Sequence, residues 1–78
     1  MSGRPVKHSV TLNGHRTSIS LEDEFWEELK SIADAENISV ASLIAGIDRA
    51  RGTKRALSSA LRLHVLHTLK AQIEHQAD

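Results

Sequence analysis

Hydrophobic and polar residues alternate in two short segments near the start of the chain. These segments, 7–12 and 15–21, are separated by Asn13 and Gly14. An Asn-Gly pair favours a two-residue β-turn, because a type I′ turn needs positive φ at both central residues. The pattern therefore predicts a β-hairpin that turns at these two residues.

The register that this turn imposes sorts the side chains onto two faces. One face is mainly apolar and holds Val10, Leu12, Ile19 and Leu21, together with Thr17 and with His8 and His15, which are expected at its periphery. The other face is entirely polar and holds Lys7, Ser9, Thr11, Arg16, Ser18 and Ser20. In this register both strands direct their apolar residues to the same face, which supports the hairpin. The alternative is a flexible arm over residues 1–14, which leaves a single strand.

Two amphipathic helices are predicted after the second strand. The first starts just after Leu21 with acidic residues that complement the helix dipole, and Asn37 is a plausible left-handed stop. The second begins at Ser39, a good N-cap, and ends at Gly52. Gly46 lies inside it and either allows close approach by another helix, which is the preferred interpretation, or is simply tolerated there. The apolar stripes comprise Phe25, Leu29, Ile32 and Ala33, then Val40, Leu43, Ile44 and Ile47.

A third helix is predicted from about Leu57 to about His75, a length of roughly 28 Å at 1.5 Å per residue. Its apolar residues recur at four-residue steps, which predicts one continuous buried face. That face is too apolar for a solvated helix, so we expect it to pack across a dimer. It comprises Leu57, Leu61, Val65, Leu69 and Ile73, widened by Leu63 and Leu66.

The chain has 78 residues and no cysteine. A domain of this size has a small core, so dimerisation is the expected source of further buried surface. We expect one domain over residues 7–75, with a flexible tail at 1–6 and another tail at 76–78. No apolar run approaches the roughly 20 residues of a membrane span, and no secretory signal is visible, which favours a cytoplasmic protein.

Charge is segregated along the chain although the net charge is zero. Residues 1–20 carry three basic side chains and no acidic one. Residues 21–37 carry seven acidic side chains against Lys30, and residues 38–62 carry five basic side chains against Asp48. The sequence thus predicts a basic strand region followed by an acidic first helix.

No catalytic set is visible, since a phosphate-binding glycine loop and a credible acid–base pair are both missing. We therefore expect no enzyme activity and no cofactor. His64 and His67 stand three residues apart on the third helix, with His75 further along, and residues at that spacing can share a metal. No acidic residue or cysteine completes an obvious ligand set, so a solvated or dimer-edge histidine stripe is the preferred interpretation.

The segments 17–26 and 36–44 together resemble the ribbon-helix-helix superfamily, of the Arc and MetJ repressor type. With residues 13–18 and 57–62 added, the chain looks like a small, largely uncharacterised bacterial family of ribbon-helix-helix domains. The resemblance implies a mainly α fold with a short β-ribbon and an extra third helix. It also implies an intertwined homodimer in which one strand of each chain pairs antiparallel with the other.

The same resemblance implies a DNA-binding transcriptional regulator. In such repressors the outward ribbon residues enter the major groove, and these map to Arg16, Ser18 and Ser20. The start of the second helix commonly holds a phosphate, which here maps to Ser39 and Val40. Further basic residues expected to contact DNA are Lys7, Lys54 and Arg55.

A second hypothesis is a dimer that serves as a protein–protein interaction module without binding DNA. Its partner would lie against the polar sheet face or the acidic first helix. Two features separate the hypotheses, the width of the sheet and whether its outer face is basic. Four strands span roughly 14 Å, whereas the major groove is about 12 Å wide and suits two strands, so a paired hairpin makes insertion into the groove difficult.

Overall fold

A computed structural model of the protein describes residues 3–53 and 55–76. Lys54 and the outermost parts of the two predicted tails, residues 1–2 and 77–78, lie outside the described residues. The elements in chain order are β1 (Val6–Leu12), β2 (His15–Leu21), α1 (Asp23–Ala35), α2 (Val40–Arg51) and α3 (Leu57–Gln76). The predicted fold class, a β-ribbon followed by helices with an extra third one, is confirmed.

The two strands form the predicted antiparallel hairpin. Leu12 pairs with His15 across the turn, and the pairing continues in register to Val6 and Leu21. Asn13 and Gly14 adopt φ values of 54° and 80°, as a type I′ turn requires. The alternative of a flexible arm is wrong for residues 6–12, which form a strand.

The helix ends follow the signals in the sequence. Asn37 has a φ of 59°, and the backbone N–H of Ile38 donates to the carbonyl of Ala33 at 3.0 Å, which closes the end of α1. Ser39 caps α2, because its Oγ accepts a hydrogen bond from the backbone N–H of Ser42 at 3.0 Å. The turn at Asn37 and the cap at Ser39 set the direction in which α2 leaves α1, and α2 packs against the hairpin.

The core lies between the apolar face of the hairpin and the three helices. Both strands and all three helices contribute buried side chains to one cluster, and the polar face of the sheet lies outside it. The residues with the least exposure are Leu21, Leu29, Ile44, Leu61 and Val65. A single chain therefore already has a contiguous hydrophobic core.

The first half of α3 packs inside its own chain, where Leu61 is fully buried and Val65 is 2% exposed. For this half, the expectation of a helix face buried across a dimer is wrong. Leu66 and Ile73 are instead 48% and 66% exposed. The apolar repeat correctly indicated a buried face but not which surface covers it, and burial ends partway along the helix.

The expected close helix approach at Gly46 is wrong within the described part of this chain. A Cβ added there would come near only the Arg49 guanidinium, at 3.9 Å. None of the described helices is long and apolar enough to cross a membrane.

Candidate nucleic-acid interface

The polar face of the hairpin carries six exposed side chains in two parallel rows. The outer row, on β1, is Lys7, Ser9 and Thr11. The inner row, on β2, is Arg16, Ser18 and Ser20. The strand register places each outer-row residue directly opposite one of the inner row, in the pairs Lys7–Ser20, Ser9–Ser18 and Thr11–Arg16. Four of the predicted DNA-binding residues therefore lie on one surface.

This surface is positively charged. Lys7 and Arg16 stand at opposite ends of the face, and none of the six side chains is acidic. Neither cation forms an ion pair with any residue that the structure describes. Both remain available for a negatively charged ligand, and the four hydroxyl groups between them can donate or accept hydrogen bonds.

The backbone of β2 has one uncovered edge. The residues flanking a two-residue turn form a hydrogen-bonded pair, and such pairs alternate with pairs whose backbone groups point away from each other. Leu12–His15 is the flanking pair. The N–H and C=O groups of the inner row therefore point away from β1, and no third strand among the described residues pairs with them.

Glu22, which directly follows β2, is paired with a residue of α3. Arg62 on α3 donates from Nε to Glu22 Oε1 at 2.8 Å and from Nη2 to Glu22 Oε2 at 3.0 Å. These hydrogen bonds hold the pKa of the Glu22 carboxyl below its usual value, and its own backbone N–H adds to the effect. The Arg62 guanidinium also lies 5.9 Å from the centroid of the Phe25 ring.

A second contact fixes β1 to α1. The His8 ring stacks on Trp26, with ring centroids 4.2 Å apart and planes 10° from parallel. His8 Nε2 lies 3.6 Å from Asp23 Oδ1. Trp26 thus packs against the hairpin and the edge of the core.

Three of the other predicted DNA-binding residues, Ser39, Val40 and Arg55, lie among the described residues but away from the sheet face. Ser39 begins α2, where its hydroxyl is occupied by the cap and by a 3.0 Å hydrogen bond to Ser42 Oγ. Val40 packs against the core. Arg55 is exposed in the connection to α3, and its carbonyl accepts a 2.7 Å hydrogen bond from Arg51 Nη1. The structure brings none of these three into the two rows of the sheet face.

The histidines of α3 lie along open surface depressions. His64 and His67 line one of them together with Ile47 and Ala50 on α2, and His75 lines another that is formed by α3 alone. No group of three or more potential ligands among the described residues is placed to hold a metal ion.

Two of these features escaped prediction from the sequence. Glu22 and Arg62 are 40 residues apart, and only their opposite charges hinted at the pair. The stack of His8 on Trp26 needed the relative placement of β1 and α1, which alternation patterns do not give.

The fold and this face define a class of protein, a small β-ribbon and helix domain with a basic, polar sheet face. A family model described as "Ribbon-helix-helix domain" matches residues 5–69. The chain belongs to this family, whose members typically bind DNA as dimers and are generally not enzymes. No curated protein matches the chain, and no solved structure matches it.

Proposed function

We propose that this protein is a homodimeric, DNA-binding transcriptional regulator that contacts the major groove with the polar face of its sheet. The observation that carries the proposal is the row of exposed, acid-free side chains on β2, with Arg16 unpaired among the described residues. Arginine is the side chain that most often contacts guanine, through two hydrogen bonds in the major groove. A cytoplasmic location, in the compartment that holds bacterial DNA, goes with this proposal.

The uncovered edge of β2 supports the proposed dimer. Antiparallel pairing of two β2 strands about a two-fold axis at Ser18 would pair the backbone groups of both inner rows. The result is a four-stranded sheet in which β2 and the partner's β2 are central and the two β1 strands are outermost. Its polar face then carries four basic side chains, two from each protomer. Of the two features that separate the hypotheses, the basic face of this sheet favours DNA binding, whereas its width opposes full insertion into the groove.

Electrostatics supports the choice of face. The acidic residues of α1 belong to a segment with seven carboxylates, which phosphate groups repel. Glu22 is turned toward Arg62 on α3, and Asp23 toward His8. In the proposed complex the sheet faces the duplex and α1 faces away from it.

Fluorescence anisotropy with labelled genomic fragments at about 50 mM and 200 mM salt tests the proposal, since phosphate contacts make affinity strongly salt-dependent. We expect binding that weakens at the higher salt. Arg16→Ala should remove about 1–3 kcal/mol of discrimination between selected and random duplexes. Lys30→Gln is the matched control, because it removes the same charge from α1, and it should leave this discrimination unchanged.

Wild-type protein that binds no duplex at about 50 mM salt, where phosphate contacts are strong, contradicts the proposal. A protein–protein interaction module would then be the better account. The exposed apolar side chains of Leu66 and Ile73 on α3 favour that second function, because solvent-exposed apolar surface can mark a binding site.

A further inference from the structure

The hairpin makes the proposed sheet wider than the groove that it faces. Neighbouring strands lie about 4.8 Å apart, so three spacings separate the two β1 strands of the dimer by about 14 Å. The major groove is about 12 Å wide. If the two β2 strands are centred on the groove, each β1 strand lies over a groove edge, where the phosphates are.

We infer that β1 is a phosphate-binding strand: Lys7, Ser9 and Thr11 contact the two DNA backbones, while the inner row alone faces the floor of the groove. This inference rests on the proposed function and assigns separate roles to the two strands of the hairpin. The outer row sets affinity and orientation, and the inner row sets sequence preference.

The chemistry of the outer row fits phosphate. Lysine binds phosphate as a compact charge, and serine and threonine hydroxyls donate hydrogen bonds to phosphate oxygens. All three side chains are exposed on the polar face, and none of them makes a side-chain hydrogen bond or ion pair with another described residue. The alternation of β1 places its apolar residues, Val10 and Leu12, in the core instead.

Support of the sheet by its outer strands limits which side chains reach the bases. The groove is about 8.5 Å deep, and strands resting on its edges hold the sheet backbone near the rim. The hydroxyls of Ser18 and Ser20 are then too short to reach base edges, whereas the Arg16 side chain is long enough. Each protomer therefore reads sequence through Arg16, and the inner-row serines contribute little discrimination.

The salt dependence of binding tests the role of β1. The probe is a mixed-sequence duplex of about 21 base pairs, two helical turns, titrated with full-length protein from low to moderate salt. Lys7→Gln removes two charges from the dimer, so the slope of log K against log salt should fall by about 1.8. Lys30→Gln removes the same number of charges from α1 and should leave the slope unchanged.

Three results are informative. Equal weakening of selected and mixed duplexes by Lys7→Gln, with the reduced slope, supports the inference. An unchanged slope in a variant that still binds shows that β1 does not contact phosphate, and it overturns the inference while the proposed function stands. Absence of binding by the wild type overturns both.

Serine variants test the second part of the inference. Ser18→Ala and Ser20→Ala should leave the preference for a selected duplex unchanged, whereas Arg16→Ala should remove it. A loss of preference in either serine variant places the inner row deep in the groove and contradicts a sheet supported at the groove edges. Thermal unfolding followed by circular dichroism confirms that each variant is folded.

Discussion

The ion pair between Glu22 and Arg62 joins the start of α1 to α3. Both hydrogen bonds are short, at 2.8 Å and 3.0 Å, and the two side chains retain 22% and 32% exposure. The pair closes one end of the core beside Phe25. Because water still reaches both groups, we expect a modest contribution to stability whose clearest sign is its dependence on pH.

The expected pH dependence follows from the lowered pKa of Glu22. A depressed pKa stabilises the fold above the unfolded value, about 4.3 for glutamate, and this stabilisation is lost as pH falls through the folded value. The wild type should therefore melt at a higher temperature than Glu22→Gln at pH 7, and the difference should shrink below about pH 4.

Differential scanning calorimetry of both proteins from pH 7 to acid measures this difference. Glu27→Gln is the matched control, because Glu27 pairs with Lys30 on the surface and exposed pairs contribute little. A melting difference between wild type and Glu22→Gln that is absent at pH 7, or that grows on acidification, contradicts the role assigned to the pair.

At the scale of elements, α3 provides the sharpest contrast between buried and exposed leucines. Leu61 is fully buried in the core, whereas Leu66, five residues further along, is 48% exposed. Leu61→Ala should cost about 2–5 kcal/mol of unfolding free energy. Leu66→Ala should cost less than about 1 kcal/mol, because much of its side chain is already in water.

Urea denaturation of both variants measures these free energies. Equal costs would contradict the packing of α3 described above, since they would require Leu66 to be buried as deeply as Leu61. That outcome would return α3 to the dimer interface that its apolar repeat first suggested.

The hairpin was predictable because local chemistry decides it. Asn13 and Gly14 fix the turn and with it the register, and the two-residue period of both strands then places Val10, Leu12, Ile19 and Leu21 on one buried face. The helix ends were predictable for the same reason, through Asn37 and Ser39. These signals act over a few residues, so the sequence displays them directly.

Tertiary packing was less accessible from the sequence. A leucine stripe shows that a face of α3 is apolar, but not that Leu61 packs within its own chain. Gly46 is compatible with a close approach and equally with open space, which is what its surroundings provide. Of the predicted DNA-binding residues, those on the sheet share a face because strand alternation fixes their side. The positions of Ser39 and Arg55 relative to that face depend on how the helices pack, which no local pattern gives.

At the scale of the whole molecule, the proposed dimer depends on the uncovered edge of β2. Ser18 and Ser9 form a matched pair, because they lie opposite each other and each directs its backbone N–H away from the hairpin. Ser18→Pro removes a donor from the edge that pairs with the partner, whereas Ser9→Pro removes one from the outer edge, where proline is tolerated. We expect Ser18→Pro to be monomeric and Ser9→Pro to remain dimeric.

Size-exclusion chromatography with light scattering at micromolar concentration determines both masses. A wild-type monomer under these conditions would contradict the dimer itself. A dimeric Ser18→Pro together with a monomeric Ser9→Pro would place the two-fold axis at β1. In that case β1 would face the floor of the groove and β2 would lie over the phosphates.

The most direct measurement is nuclear magnetic resonance of ¹⁵N-labelled protein during titration with a DNA duplex. The amide signal of each residue reports separately on whether its surroundings change. The account predicts that the largest shifts fall on the two rows of the sheet face and that α1 (Asp23–Ala35) is little affected. Shifts centred on α1 or on the histidines of α3, or no shifts at about 50 mM salt, where phosphate contacts are strong, would contradict DNA binding through the sheet.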